Sequence, residues 1–205
     1  MMSDFRTPRL LLIGGTAETL TAELDSPHAL GELLAVDVPA SWPPELYDAG
    51  AIKWMLSWLE RHPHEAAWSL YYVAERPRSH QERPLLVGIA GYKGAPDASG
   101  VVEIGYGIVP EQRRRGFASE AVRALIERAF DDPRVEAVIA HTLPELAPSI
   151  GVLRRTGFLF EGPGSDAQEP TAIRFVLKRA RYVELTAATS TALVDPPSPG
   201  SLSVT

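Results

Sequence analysis

The chain has 205 residues, of which 45% are hydrophobic and 22% charged, a composition typical of a globular protein with one sizeable core. Its formal net charge of −6 and pI of about 5.4 disfavour a nucleic-acid binder, because such proteins usually carry a basic surplus. The absence of cysteine excludes disulfides, a thiolate nucleophile and cysteine-based zinc sites, and we expect no metal site.

The first elements in the chain are a strand and two short helices. The apolar run RLLLIG over residues 9–14 predicts a strand that ends at a glycine pair. Thr16 can cap a helix over residues 17–24, and Ser26 followed by Pro27 marks the start of a second helix. The N-terminal apolar run is too short for a signal sequence or a membrane span, so we expect a cytoplasmic protein with no membrane partner.

A proline-rich loop over residues 38–48 separates these helices from an amphipathic one. The apolar residues between 47 and 61 recur with the repeat of one helix face: Ile52, Met55, Leu56 and Leu59. Trp42 lies in the loop, where two interpretations stay open. It is either a lid over a bound substrate or a plug on the core.

Strands and one long helix follow. The predicted strands cover residues 68–75, 84–94 and 101–109, and the turn-rich segment between the last two makes them a hairpin. Beyond Pro110 the apolar period changes from two to that of a helix, which predicts a helix over residues 117–130.

The second half of the chain continues this mixture. Its remaining elements are a strand, a helix and two strands, over residues 135–143, 148–157, 158–162 and 171–179. We expect the strand–helix–strand unit to be a right-handed parallel crossover, so the fold class is α+β, or mixed α/β. We predict a single domain over residues 1–180 and a flexible tail, rich in Ser, Thr and Pro, over residues 181–205.

The stretch EQRRRGFASEA leads from a strand end into the long helix. A helix that begins at Phe117 exposes its first N–H groups and carries about half a positive charge there, which favours a bound anion. Gly116 lets an anion approach the backbone closely, and Ala118 is small for the same reason. Three arginines add charge of a geometry that suits phosphate: Arg113, Arg114 and Arg115.

This stretch resembles motif A of the GNAT superfamily of N-acetyltransferases, Q/R-x-x-G-x-G/A, read here from Arg113 to Ala118. Three blocks carry the resemblance: TPRLLL near the N-terminus, VEIGYGIVPEQRRRGFASEA in the middle and PSIGVLRRTGF later. They look like the branch that includes the ribosomal-protein N-terminal (RimJ/RimL-like) acetyltransferases. The resemblance covers residues 7–180 and implies a GNAT-like fold, with about seven mostly antiparallel strands and helices on both faces.

The resemblance also implies acetyl-CoA as co-substrate. Its pyrophosphate would lie on the N–H groups of residues 114–118. Its pantetheine arm would pair with the backbone of Ile108 and Val109, in a slot where the strands of the crossover splay apart. Ser149 matches a family position that often contacts the cofactor.

Two departures from the family pattern concern the later helix. Leu146 stands where many relatives have an asparagine that contacts the cofactor, and Leu153 stands where several have a tyrosine that acts as general acid. Either the acid lies elsewhere or none is needed, because a thiol with a pKa of about 8.5 is already a tolerable leaving group.

The residues that would act as acid and base are predicted from their places on the predicted strands and in the family pattern. An acceptor amine must be neutral to attack, so a general base helps. Glu103, at a position that several relatives use for the base, shares a strand face with two glycines that leave room beside it. His141 is the second candidate, and a backbone N–H near Val109 would hold the oxyanion. Both side chains also have ordinary interpretations, as a solvated or salt-bridged strand carboxylate and as a structural histidine.

The leading functional prediction is an acetyl-CoA-dependent N-acetyltransferase acting on a primary amine, in a small molecule or at a protein N-terminus. The acidic balance mildly favours a cationic acceptor. A non-catalytic acyl-CoA-binding sensor or interaction module is the alternative. A nucleic-acid binder using the three arginines is disfavoured, because no aromatic residues interleave with them. The protein is expected to be a monomer or a homodimer.

Overall fold

Eight strands form one sheet in the described part of the chain. The computed structural model describes residues 4–77, 79, 81–164 and 171–192, and of residues 189–192 only the backbone. The strands are β1 Phe5–Arg6, β2 Leu10–Gly14, β3 Leu70–Glu75, β4 Leu85–Tyr92, β5 Val101–Ile108, β6 Ala137–Thr142, β7 Leu159–Pro163 and β8 Ile173–Lys178. The helices are α1 Ala17–Asp25, α2 Pro27–Leu34, α3 Ala49–Arg61, α4 Phe117–Asp131, α5 Ala147–Arg155 and α6 Arg179–Ala192.

Side chains set where the first three helices begin. Thr16 and Thr19 form a reciprocal capping box at α1, and the Ser26 side chain accepts a hydrogen bond from the backbone at the start of α2. Asp48 does the same for α3. The helix starts predicted at Thr16 and Ser26 are therefore confirmed, and α3 begins two residues later than predicted because Asp48 caps it.

The strands lie in the order β1-β2-β3-β4-β5-β6-β8-β7. Neighbouring strands are antiparallel except β5 and β6, which are parallel and joined through α4. The predicted mixed α/β fold, mostly antiparallel and with one parallel crossover, is confirmed. β1 is the strand beyond the seven that were predicted, because a two-residue strand leaves no periodic signal in the sequence.

The parallel pair separates soon after it forms. β5 pairs with β4 as far as Ile108, but it pairs with β6 only from Val101 to Glu103. The N–H of Val109 donates to the carbonyl of Val87, so alternation along β5 turns the backbone groups of Ile104, Tyr106 and Ile108 away from β4. The resulting gap between β5 and β6 is called the slot below.

Helices cover the sheet on both faces, as predicted. One core packs between the sheet and α4 and α5, and a second packs between the sheet and α1, α2 and α3. Ile104 and Ile108 face the first core, so Glu103, Gly105 and Gly107 face the opposite side. A side chain at Gly107 would begin 3.1 Å from Pro44, whereas the space above Gly105 is open.

The C-terminal segment differs from the predicted tail. The sequence predicts flexibility over residues 181–205, but α6 continues to Ala192. Tyr182 stacks on Phe130 at 4.7 Å between ring centroids, and Arg181 donates to the carbonyl of Gly157, so tertiary contacts hold a helix of modest propensity. Residues 193–205 lie outside the described residues, and a single domain over residues 1–180 stays a prediction.

Candidate active site

The loop before α4 presents a row of open backbone N–H groups. Gly116 is the N-cap of α4 with a φ of 84°, and Arg114 also has a positive φ, of 59°. The first backbone bond of α4 runs from Glu120 to Gly116. No described residue accepts a hydrogen bond from the N–H groups of residues 114–118, which we call the cradle. A positive φ is a conformation that glycine adopts without strain, which explains the residue type at 116.

Two of the three predicted arginines are held by carboxylates. Arg113 donates to the carbonyl of Ile108 at 3.0 Å and forms an ion pair with Glu45 at 2.8 Å. Arg115 pairs with Glu75 at 2.7 Å. These contacts order the loop, so the groups left open towards an anion are backbone N–H groups rather than these guanidinium groups.

The side chains of Phe117 and Ala118 pack into the core and anchor the cradle. The Phe117 ring is buried in the core beside α4, and the guanidinium of Arg115 lies 4.6 Å from its centroid. Ala118 is half-buried against the same core. Each of these two residues can therefore offer an anion its backbone N–H, while its side chain anchors the helix start.

Arg9 is a site residue that the sequence analysis missed. It donates to the carbonyl of Arg115 at 2.9 Å, and its guanidinium lies 4.9 Å from the centroid of the Phe117 ring. Arg9 therefore sits against the cradle although it is more than 100 positions away in sequence. The only signal was the TPRLLL block, which contains it.

An open cavity of about 750 Å³ adjoins the cradle along the outer face of α4. Gly116 and Ser119 line the end nearest the cradle. Five arginines contribute to the remaining wall: Arg6, Arg9, Arg123, Arg128 and Arg155. Three acidic residues also line the cavity, Glu120, Glu127 and Asp131, so arginines exceed carboxylates there by two.

The slot begins next to the cradle and has one free backbone donor there. Ile108 turns its N–H into the slot, while its carbonyl accepts the hydrogen bond from Arg113. Val109 does not contribute an N–H, because that group already donates to Val87 at 3.0 Å. Of the two backbone positions predicted to meet the pantetheine arm, Ile108 is thus the one that faces the slot.

Tyr106 and Ser149 meet across the slot. The hydroxyl of Tyr106 lies 3.1 Å from the Ser149 Oγ and also 3.1 Å from its carbonyl oxygen, in the first turn of α5. Burial raises the pKa of Tyr106 to about 12, more than the hydrogen bond from Ser149 lowers it. Leu153, one turn later, is fully buried in the core. Ser149 of α5 and Tyr106 of β5 therefore place two bonded hydroxyl groups beside the slot, one helical turn before Leu153.

Glu103 and His141 are in contact, within a row of polar side chains that crosses the sheet. His141 Nδ1 lies 3.0 Å from Glu103 Oε1, and Lys93 Nζ lies 2.5 Å from the same oxygen. His141 is paired in register with Arg174 on β8, and Arg174 Nε lies 2.9 Å from a Glu161 carboxylate oxygen. These five side chains are called the polar row: Lys93, Glu103, His141, Arg174 and Glu161.

Several atoms of the polar row are buried without a well-directed hydrogen bond. They are Glu103 Oε1, both ring nitrogens of His141 and Arg174 Nε. The close approach of Glu103 and His141 is therefore a polar contact at 3.0 Å rather than an aligned hydrogen bond. Such atoms are rare in folded proteins, and they often mark a functional site or a place for water. The described residues contain no cluster of three or more side chains that could hold a metal ion.

The loop over residues 38–48 contacts both the segment before the cradle and strand β5. Glu45 reaches Arg113, Ser41 hydrogen-bonds Glu111, and Pro44 packs over Gly107. Trp42 is a plug rather than a lid, because it is buried in the second core and donates to Glu23 Oε1 at 2.8 Å.

Glu23 is a buried carboxylate that the sequence did not reveal. Tyr47 and Tyr72 donate to its Oε2 at 3.0 and 2.8 Å, while Trp42 occupies Oε1. Burial raises the pKa of Glu23, and the three hydrogen bonds lower it by less. The loop is thereby fastened to α1 and β3.

Comparison with known proteins agrees with this geometry. The family model of the acetyltransferase (GNAT) domain matches residues 18–159. The N-acetyltransferase p20 of Bacillus licheniformis is 34% identical over 82 residues, which are 40% of this chain and 46% of p20. The chain thus covers less than half the length of that relative.

Two solved structures share the fold. A provisionally named ribosomal-protein-serine acetyltransferase from Vibrio cholerae is 22% identical, with 87% of this chain and 99% of that chain covered and a TM-score of 0.57. RimL, a ribosomal L7/L12 α-N-protein acetyltransferase in complex with coenzyme A, is 12% identical, with 86% and 98% covered and a TM-score of 0.59. Both names fall in the branch that the sequence resembles.

No helix in the described residues is long and apolar enough to cross a membrane. The family match runs from α1 into β7, across more than half of the chain, and so includes both the cradle and the slot. The sequence-based prediction of a GNAT acetyltransferase is therefore confirmed at the level of the family, and the chain belongs to the GNAT acetyltransferase family.

Proposed function

We propose that the protein is an acetyl-CoA-dependent N-acetyltransferase that moves an acetyl group to a primary amine by direct attack. The open N–H groups of residues 114–118, which lead directly into the slot, carry this proposal. A row of N–H groups at a helix N-terminus suits a pyrophosphate, and a strand edge with free backbone groups suits an extended amide-containing arm.

The acetyl donor would occupy three connected regions. Its pyrophosphate would lie on residues 114–118, with Arg113, Arg114 and Arg115 around it. Its pantetheine arm would run along the slot and pair with Ile108, passing Ser149 on the α5 side. Its phosphorylated nucleotide end would extend into the arginine-lined cavity beside α4. The complex of RimL with coenzyme A supports a site of this kind in the fold.

Glu103 is proposed as the general base. It lies where β5 and β6 part, on the face that opens above Gly105, so an amine arriving from the α1–α3 side would meet its carboxylate. His141, 3.0 Å from Glu103 Oε1, would position the carboxylate or relay the proton. After proton removal, directly or through water, the neutral amine attacks the thioester carbonyl. The N–H of Tyr106, which also faces the slot and lies nearer to Glu103, would hold the oxyanion.

The collapse of the tetrahedral intermediate needs a proton for the leaving thiolate. Tyr106 and Ser149 form a bonded hydroxyl pair beside the slot, on the opposite face of the sheet from Glu103. The raised pKa of Tyr106, about 12, keeps its phenol protonated at neutral pH, so it can donate. We propose this pair as the proton donor in place of the tyrosine that Leu153 replaces.

The acceptor is proposed as a small-molecule amine or a protein N-terminus. The net charge of −6 would draw a cationic amine towards the site. The ribosomal protein named for RimL is one example of a protein acceptor in this fold. A cytoplasmic location and a monomeric or homodimeric state stay predictions.

A thiol-release assay tests this function. Acetyl-CoA is mixed with the protein and a panel of amines and N-terminal peptides, and each reaction is checked by mass spectrometry for an acetylated product. We expect release that depends on the amine and is lost in Gly116→Asp, whereas Gly116→Asn is the matched uncharged control. Thermal stabilisation by acetyl-CoA without thiol release for any amine would instead indicate the non-catalytic sensor.

A further inference from the structure

The amine of Lys93 lies where the proposed mechanism needs the acceptor amine. Its Nζ is 2.5 Å from Glu103 Oε1, the carboxylate oxygen proposed to take the proton. Its backbone N–H also donates to the Glu103 carbonyl at 2.9 Å, so the two residues face each other across β4 and β5. The Lys93 side chain is 46% exposed and can therefore change conformation without disturbing the core.

Three features place this amine at the acceptor side of the slot. Lys93 and Glu103 lie directly opposite each other, so their side chains share one sheet face. Gly105, two residues along the same face, leaves open space beside them. Glu103 is also the last residue of β5 that pairs with β6, so the end of the slot away from the cradle lies at its position.

We propose that Lys93 is an acetylation site of the protein itself, modified from acetyl-CoA bound in its own cradle. This inference rests on the proposed function, because it uses the same base and the same acetyl donor. It assigns a modification site and not the physiological acceptor.

The step balances without a further reactant. Glu103 takes one proton from the Lys93 ammonium, and the neutral Nζ attacks the thioester carbonyl. The carbon–nitrogen bond forms first, and the carbon–sulfur bond breaks when the tetrahedral intermediate collapses. The leaving thiolate takes the second amine proton, Glu103 releases the first to water, and the product is a neutral acetyl-lysine amide.

The modification has a direct consequence for the site. An acetylated Lys93 loses its positive charge and its ion pair with Glu103, and it adds bulk beside the space above Gly105. Transfer to external amines is therefore expected to slow as Lys93 becomes modified.

The chain offers internal controls, because it has three lysines: Lys53, Lys93 and Lys178. Lys53 lies in α3 and Lys178 ends β8, and neither forms an ion pair with a described carboxylate. The full-length protein is incubated with acetyl-CoA at several protein concentrations, and the acetyl occupancy of each lysine is followed by peptide mass spectrometry. The variants are Lys93→Arg, Glu103→Gln, Gly116→Asp and, as matched control, Lys53→Arg.

We expect Lys93 to be acetylated at least about ten times faster than the other two lysines, with a rate constant independent of protein concentration. Glu103→Gln and Gly116→Asp should remove this preference, and Lys53→Arg should keep it. Lys93 acetylation no faster than that of Lys53, in a preparation that acetylates an external amine, overturns the inference and leaves the proposed function standing. Failure of both reactions overturns both, whereas fast Lys93 acetylation without any external turnover supports the inference alone.

Discussion

Glu120 accepts the backbone N–H of Arg9 at 2.9 Å and the Arg9 guanidinium Nε at 2.7 Å, so one carboxylate binds one residue twice. Thr7 adds a third hydrogen bond to the same carboxylate, at 2.5 Å. Arg9 in turn holds the carbonyl of Arg115. The start of β2 is thereby fixed to the helix turn that carries the cradle, which links the stability of the fold to the geometry of the proposed anion site.

Replacing Glu120 by Gln should therefore lower the stability in a pH-dependent way. Burial alone would raise the pKa of Glu120, but hydrogen bonds from Thr7 and Arg9 outweigh burial and the pKa lies below its usual value of 4.5. A lowered folded-state pKa stabilises the protein above the unfolded pKa, and this stabilisation disappears as the pH falls through the folded value. We expect a loss of about 1–2 kcal/mol at pH 7, shrinking below pH 4.5, in urea unfolding.

Glu127→Gln is the matched control, because Glu127 is exposed on the same helix and has no hydrogen bond to a described residue. Its stability should match that of the wild type across the same pH range. A Glu120→Gln variant that follows this control at pH 7 would rule out the stabilising role of the contact.

The cradle is tested by a pair of variants at Gly116. Asn and Asp have nearly the same shape, and both tolerate a positive φ better than other side chains. Asp adds a negative charge where the pyrophosphate is proposed to lie. We expect Gly116→Asp to weaken acetyl-CoA binding, measured by calorimetry, at least about tenfold more than Gly116→Asn, since like charges repel strongly at close range. Equal weakening by both variants would point to strain rather than to anion binding.

The proposed base is tested at Glu103. Glu103→Gln keeps the shape of the side chain but removes its ability to accept a proton, so kcat should fall by about 100-fold or more. Affinity for acetyl-CoA should change little, because Glu103 lies at the far end of the slot from residues 114–118. His141→Asn should produce a smaller fall in kcat. Normal turnover in Glu103→Gln would remove this residue from the role.

The proposed proton donor is tested by removing one hydroxyl. Tyr106→Phe should lower kcat and leave the affinity for acetyl-CoA within a few-fold of wild type, because the ring that lines the slot stays. Tyr92→Phe is the matched control, since the Tyr92 hydroxyl is buried against the carbonyl of Leu125 at 2.6 Å, away from the slot. Its effect should be on stability alone. Equal kcat in the Tyr106→Phe variant and the wild type would mean that the thiolate leaves without help from Tyr106.

The pKa of Glu23 is shifted in the opposite direction to that of Glu120, so its contribution to stability changes with pH in the opposite sense. Burial raises the pKa of Glu23 above 4.5 in the folded state. The folded protein therefore binds the proton more tightly than the unfolded chain, so stability falls as the pH rises from 4.5 through the folded pKa. Wild type should lose stability relative to Glu23→Gln over that range in urea unfolding. Parallel stability profiles of the two proteins would contradict a raised pKa.

Local patterns predicted most of the fold. The caps at Thr16 and Ser26, the hairpin of β4 and β5, and the change to a helical period after Pro110 all concern residues close in sequence. The cradle was predictable for the same reason, because a helix start and the positive φ at Gly116 are encoded within a few residues.

Contacts between distant residues could not be read from the sequence. Arg9 donates to the carbonyl of Arg115, and the Tyr106 hydroxyl contacts Ser149. Glu23 accepts hydrogen bonds from two tyrosine hydroxyls and one indole. In each case the tertiary fold brings the partners together. The N–H expected near Val109 to face the slot is that of Ile108 for a similar reason. The pairing of β4 with β5 decides which N–H faces the slot, and only the register shows it.

The most direct test of the account is a single-turnover reaction with acetyl-CoA carrying a ¹³C-labelled acetyl group. Protein in excess over the labelled acetyl-CoA is mixed with an amine that scores in the thiol-release panel, and both products are quantified by mass spectrometry. We expect one labelled N-acetyl amine for each free coenzyme A, with the rate falling sharply in Glu103→Gln and Gly116→Asp. Release of coenzyme A without labelled amide, or equal rates in all three proteins, would contradict it.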